Sequence, residues 1–89
     1  MSKTFRFENR IFDPAKKFFQ VPEKCLTMVI VNGGTTDILI DEAVQLSPGQ
    51  VFPYPSMPGY YLQQKVKIQV VSPGTYANTK VRIRLALEN

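Results

Sequence analysis

Two segments near the end of the chain, KVKIQVV (65–71) and KVRIRLAL (80–87), place an apolar side chain at every second position. In the first, Val66, Ile68 and Val70 alternate with Lys65, Lys67 and Gln69. In the second, Val81, Ile83, Leu85 and Leu87 alternate with Lys80, Arg82, Arg84 and Ala86. A side-chain period of two belongs to an extended strand, so each segment is expected in a sheet with one dry and one wet face. TDILID (36–41) sets Ile38 and Ile40 against Asp37, Leu39 and Asp41, and TFRF (4–7) sets Phe5 and Phe7 against Thr4 and Arg6. CLTMVIVN (25–32) is nearly all apolar, with Leu26, Met28 and Ile30 on one side and Thr27, Val29 and Val31 on the other. That pattern predicts a central strand covered on both faces.

Prolines at 14, 22, 48, 53, 55, 58 and 73 leave few windows long enough for a helix, and the open ones, 23–47 and 74–89, carry β-branched alternation instead. DPAKKFFQ (13–20) predicts a single helical turn, with Asp13 as cap and Pro14 in the first position. NGGT (32–35) has the residues that accept positive φ in a tight hairpin. SPGQ (47–50) and MPGY (57–60) place Pro then Gly at the centre of a type II turn, and SPGTYAN (72–78) begins the same way. The expected fold is all-β: a small antiparallel β-sandwich or barrel of about six to eight short strands. Residues 1–24 form a Phe-rich arm or the first strands, and 25–89 form the sandwich core.

Eighty-nine residues make one domain, and a chain of this size buries only ~60–65% of its extended surface. Domains so small gain from disulfides, metals or partner subunits. Cys25 is the single cysteine, so no intrachain bridge forms, and histidine is absent. The seven carboxylates show no ligand spacing, so neither metal nor cofactor is expected. No apolar run approaches the ~20 residues of a membrane helix, and MSKTFRFENR lacks the apolar stretch of a signal peptide. The expected place of synthesis is a reducing cytoplasm, where Cys25, opening an apolar run, is a small buried thiol. A net charge of +4 keeps nucleic acid among the partners considered.

Four constellations bear on function. If the last two strands pair as a hairpin, Lys65, Lys67, Arg82 and Arg84 share one exposed face, suited to phosphates or an acidic protein surface, or simply solvated. VFPYPSMPGYYL (51–62) carries Phe52, Tyr54, Tyr60 and Tyr61 among prolines, as a docking surface or a lid over the core. The N-terminal segment holds Phe5, Phe7, Phe12, Phe18 and Phe19 with interleaved cations. It reads either as an arm whose Phe side chains anchor on a neighbouring subunit or as an ordinary first strand. Asp37, Asp41 and Glu42 form an acidic corner that reads as solvated charge. The glycines of VNGGTT lack the Lys and helix of a phosphate loop.

VIVNGGTTDILIDEAVQLSPGQVFPY, through Asn32, Gly33, Ile38, Ile40, Leu46, Pro48, Gly49 and Phe52, resembles an element of small β-sandwich structural proteins of bacteriophage virions. The resemblance covers about 30 residues of a pattern set by turn chemistry. It implies a non-enzymatic building block of a capsid, tail or spike base, located in the virion and made in the host cytoplasm. Such a block works as a homo-oligomer with other structural proteins of the same particle. The expected interface residues are Phe5, Phe7, Phe12, Phe18, Phe19, Tyr54, Tyr60 and Tyr61. One alternative is a nucleic-acid-binding β-barrel using Lys65, Lys67, Arg82 and Arg84; a second is a glycan- or receptor-binding module using the Tyr/Pro loop. An enzyme is the class least expected, because no nucleophile–base pair is visible.

Overall fold

The computed structural model describes residues 4–71 and 79–89. Eight strands follow one another: β1 (Phe5–Phe12), β2 (Phe18–Gln20), β3 (Cys25–Asn32), β4 (Ile38–Ile40), β5 (Val44–Leu46), β6 (Val51–Pro53), β7 (Lys65–Val70) and β8 (Val81–Glu88). They form two four-stranded antiparallel sheets packed as a sandwich. The first has the order β1-β8-β3-β6 and the second β2-β7-β4-β5. Among the described residues no helix is long and apolar enough to cross a membrane.

The alternation in the last two strands places their apolar side chains as expected, except that Val70 is only half-buried. Val66 and Ile68 of the second sheet, and Val81, Ile83, Leu85 and Leu87 of the first, are all buried. Met28 and Ile30 from β3 and Ile38 and Ile40 from β4 complete the centre of the core. Removing each such side chain from water stabilises the fold by about 1.5–3 kcal/mol. The single helical turn is present at Pro14–Lys16. Asp13 caps it, accepting the Ala15 N–H on Oδ1 at 3.0 Å. SPGQ and MPGY close as expected, with Gly49 at φ 83° and Gly59 at φ 85°. The Gln50 N–H donates to the Ser47 carbonyl at 3.0 Å, and the Tyr60 N–H to that of Met57 at 3.1 Å.

Connectivity differs from the expectation at three places. β7 and β8 lie in different sheets, so they are not a hairpin, although the connecting SPGTYAN falls outside the described residues. NGGT is not a hairpin turn either. It carries the chain from β3 in the first sheet to β4 in the second, and the positive-φ glycines among the described residues are Gly49 and Gly59, not Gly33 or Gly34. The hairpin that does form joins β4 to β5, with Asp41 (φ 52°) and Glu42 (φ 59°) in the left-handed region of a type I′ turn. Finally, β3 is interior to its sheet but covered on one face only. Thr27 is exposed, and Val29 and Val31 are half-buried. A register shift between Cys25 and Thr27 moves Leu26 off the buried row and seats Cys25 there in its place.

One buried polar side chain makes the crossover possible. Asn32 is fully enclosed; its Nδ2 donates to the Thr36 carbonyl at 2.9 Å and to the Leu46 carbonyl at 2.8 Å. Its Oδ1 accepts the Gly34 N–H at 3.2 Å. Its backbone N–H donates to the Gln50 carbonyl at 3.0 Å, and its carbonyl accepts from the Gly49 N–H at 2.8 Å. Carbonyls that leave a ladder inside a core need such a donor, because burying them unpaired costs about 1–3 kcal/mol each. Asn32→Ala is therefore expected to cost about 2–5 kcal/mol, read as a lowered urea midpoint. Ile83→Ala is expected to cost about 2–5 kcal/mol as well, whereas Ile11→Ala, on an exposed face, stays within about 0.5 kcal/mol.

Candidate interaction surface

The side chains that remain apolar and exposed are concentrated on the outer face of the first sheet. β1 sets the pattern. Its register against β8 puts Arg6, Glu8, Arg10 and Phe12 on the inward row with Leu87, Leu85, Ile83 and Val81. Phe5, Phe7, Asn9 and Ile11 therefore point outward, beside Glu88, Ala86, Arg84 and Arg82. The strand is inverted relative to its neighbours, with charges inward at the rim and apolar groups outward. Phe7 and Ile11 are 83% and 84% exposed, and Phe5 is 51% exposed. Glu8 holds the inward charges together, reaching Arg10 at 3.1 Å and Arg6 at 3.6 Å.

Across the sheet the outward rows continue in register. Asn9, Arg84, Val29 and Pro53 form one row; Ile11, Arg82, Val31 and the exposed Val51 form the next. A shallow groove runs among Phe7, Thr27, Val29, Arg84 and Ala86. A second depression, lined by Phe5, Leu26, Gly59, Tyr61 and Glu88, carries the surface toward the Tyr/Pro loop. There the Tyr61 hydroxyl donates to the Glu88 carboxylate at 2.5 Å, and Tyr60 and Met57 stand exposed beside it.

The interface residues expected from sequence thus separate into groups. Phe5, Phe7, Tyr60 and Tyr61 lie on or beside this surface. Phe12 and Phe19 do not anchor on a neighbour. Both are buried in this domain's own core, edge to face with ring centroids 6.0 Å apart. The N-terminal segment is accordingly a first strand, hydrogen-bonded to β8 along Phe5–Phe12, and not a free arm. Phe18 is exposed on the outer face of the second sheet, beside Lys67. Tyr54 is half-buried and packs on the core, edge to face with Phe52 at 6.1 Å.

The four cations do not share a face. Lys65 and Lys67 belong to the second sheet and Arg82 and Arg84 to the first, so the expected basic stripe does not form. Lys67 is ion-paired with Glu42. The acidic corner is exposed but bonded: Asp41 accepts the Tyr54 hydroxyl at 2.6 Å and the Lys67 N–H at 3.0 Å, and Asp37 accepts the Gln45 amide at 2.8 Å. Among the described residues no three His, Cys, Asp or Glu side chains converge on a point. Cys25 is buried, its thiol donating to the Thr27 carbonyl at 3.3 Å, and burial pushes its pKa up.

Sequence reading did not single out Ile11, Val51 or Met57 as exposed, nor the inversion of β1. The available signal was a break in parity, since Phe12 falls on the charged side of a strand whose other apolar residues fall opposite. No protein-family model matches the chain, and no curated protein or solved structure matches it either.

The Tyr54–Asp41 bond also fixes a pH dependence. Burial first, and the Asp41 carboxylate second, hold the Tyr54 hydroxyl above the ordinary tyrosine range. The folded state therefore keeps a proton that the unfolded chain releases near pH 10. This contribution to stability is complete below about pH 10 and is lost as pH rises through the folded pKa. Urea denaturation between pH 8 and 11.5 is expected to show a smaller alkaline loss in Tyr54→Phe than in the wild type.

Proposed function

We propose that this chain is a non-enzymatic structural subunit that assembles by packing the outer face of its first sheet against neighbouring proteins. The observation that supports it is the outward row of β1: Phe5, Phe7 and Ile11 lie exposed on the same face as Val51, with the Tyr60–Tyr61 loop at its end. Contiguous exposed apolar patches of this kind mark interaction sites. Arg82 and Arg84 stand among those apolar groups, and Tyr and Phe are concentrated there, matching the residue types that interface centres favour. The partners in this reading are further copies of the chain and other proteins of the same particle. The setting that the strand-and-turn resemblance implies is a bacteriophage capsid or tail, assembled from subunits made in the host cytoplasm.

A second reading has its own observation. The register places Phe7 diagonally from Arg84 and beside Ala86 on an open sheet face. An aromatic platform next to guanidinium groups suits the stacked bases and phosphates of a single strand.

Sedimentation across a range of concentrations tests the first reading. The wild type is expected to associate as concentration rises, and Phe7→Ser and Ile11→Ser are each expected to weaken association by about tenfold or more. A wild type that stays monomeric throughout sinks the proposal. Binding of a single-stranded oligonucleotide at two salt concentrations decides the second reading, which needs an affinity that falls steeply with salt and is lost in Arg84→Ala.

A further inference from the structure

We propose that two copies of this chain pair edge to edge through β1, antiparallel, about a twofold axis that passes beside Asn9. The inference rests on the assembly reading above and names its partner and its contact.

The sandwich has four sheet edges: β1 and β6 in the first sheet, β2 and β5 in the second. Three of them are only three residues long, and β6 ends in Pro53. Short strands and proline are ordinary means of keeping an edge from recruiting another chain. β1 has neither: it runs eight residues, without proline. Its hydrogen-bonding parity follows from one bond. The Asn89 N–H donates to the Thr4 carbonyl at 3.0 Å, and the β1–β8 register places these two residues opposite one another. Thr4, Arg6, Glu8, Arg10 and Phe12 therefore direct their backbone groups toward β8, while Phe5, Phe7, Asn9 and Ile11 direct theirs to the free side. Among the described residues no other strand lies against that side.

Inward charges at a rim usually discourage pairing. Here the order Glu8–Arg10 is self-complementary about Asn9. With the axis at Asn9, Glu8 of each copy meets the partner's Arg10 on the inner face. On the outer face Phe7 meets the partner's Ile11, and Asn9 meets its own counterpart. Opposite charges and apolar pairs directly across strands are stabilising, and like charges are not. Moving the axis to Glu8 sets the two Glu8 side chains against each other and each Arg6 against the partner's Arg10. Moving it to Phe7 pairs Glu8 with the partner's Arg6 but leaves Ile11 past the start of the partner's β1, with no described residue across from it. Of the three, only the Asn9 register both sets Glu8 against a cation and covers both of the most exposed apolar side chains of the strand. The two first sheets then run together as one, and their apolar outer faces become continuous.

The tests use the full chain. In the Asn9 register the two residues 9 form a hydrogen-bonded pair with Cα atoms about 5.5 Å apart, within the span a disulfide bridges. Asn9→Cys is therefore expected to give an oxidised dimer, and Phe7→Cys is not; Cys25, being buried, takes no part. Glu8→Arg is expected to weaken dimerisation about tenfold or more, and Glu8→Arg combined with Arg10→Glu to restore it. Asn9→Pro leaves the β1–β8 ladder intact, because that N–H faces the free side, and is expected to abolish the dimer. Should Asn9→Pro fail to fold, the cysteine and charge-swap variants still decide the matter, since neither alters a fully buried side chain: Asn9 and Arg10 are exposed and Glu8 is half-buried. Association of the wild type that Glu8→Arg leaves unchanged, or a crosslink through Phe7→Cys instead of Asn9→Cys, overturns the edge pairing and leaves the assembly reading standing. A wild type that is monomeric at every concentration overturns both.

Discussion

The enclosed amide of Asn32 donates to the carbonyls of Thr36 and Leu46 and accepts from the Gly34 N–H, while its backbone joins the turn at Gly49 and Gln50. Five hydrogen bonds from one residue tie the end of β3 to the crossover that follows it and to the corner that returns the chain to β6. A chain that changes sheets inside a small core strands backbone groups at each change, and the core has no room to leave them wet. Only a side chain with two donors and an acceptor answers that need at one point. The surrounding aliphatic groups can then close around the corner, and no buried side-chain nitrogen or oxygen among the described residues lacks a partner.

The chain changes sheets at nearly every connection, and β4–β5 is the one hairpin within a sheet among the described residues. Neighbours in sequence are thus partners across the sandwich more often than partners in a ladder. A second fastening follows the same logic. Tyr54, just beyond β6 of the first sheet, donates its N–H to the Met28 carbonyl and its hydroxyl to Asp41 in the β4–β5 turn of the second. Asp41 in turn exchanges bonds with the backbone of Lys67, so one short chain of bonds links the two sheets at that end. The prolines on either side of Tyr54 limit the backbone freedom lost in holding this position.

The surface follows from the same framework. β8 and β3, interior to the first sheet, show the ordinary arrangement of buried aliphatic rows and mixed outer rows. β1, at the rim, carries its charges inward because the second sheet does not enclose that edge: Arg6 and Arg10 remain about half exposed and neutralise Glu8 between them. Its apolar residues are consequently displayed, and they extend the outer face across from Arg82 and Arg84. Phe12 is the point at which the strand re-enters the core, against Phe19 of β2. The N-terminal segment therefore belongs to both sheets, and its phenylalanines divide between interior and surface according to parity.

Much of the sandwich could be read along the chain, because burial on one face of a strand leaves a period of two in the residues themselves. Ile38, Ile40, Val66, Ile68, Val81, Ile83, Leu85 and Leu87 read as interior on that ground and are buried, and the turns at Gly49 and Gly59 follow from the φ preferences of proline and glycine. What the alternation cannot carry is which strand lies beside which, since the same pattern serves a hairpin partner and a strand in the opposite sheet. For that reason Lys65 and Lys67 read as neighbours of Arg82 and Arg84 and are not. The orientation of β1 left a single local mark, Phe12 among the charges: Phe5, Phe7 and Ile11 alternate with Arg6, Glu8 and Arg10 whichever row faces in. Sequence alone determined the longer strands, the Pro-Gly turns and most of the dry rows, because φ preference and side-chain period are local. Only the tertiary structure decided strand order, the burial of Asn32 and the displayed face of β1, because pairing between distant segments is settled by the total surface removed from water.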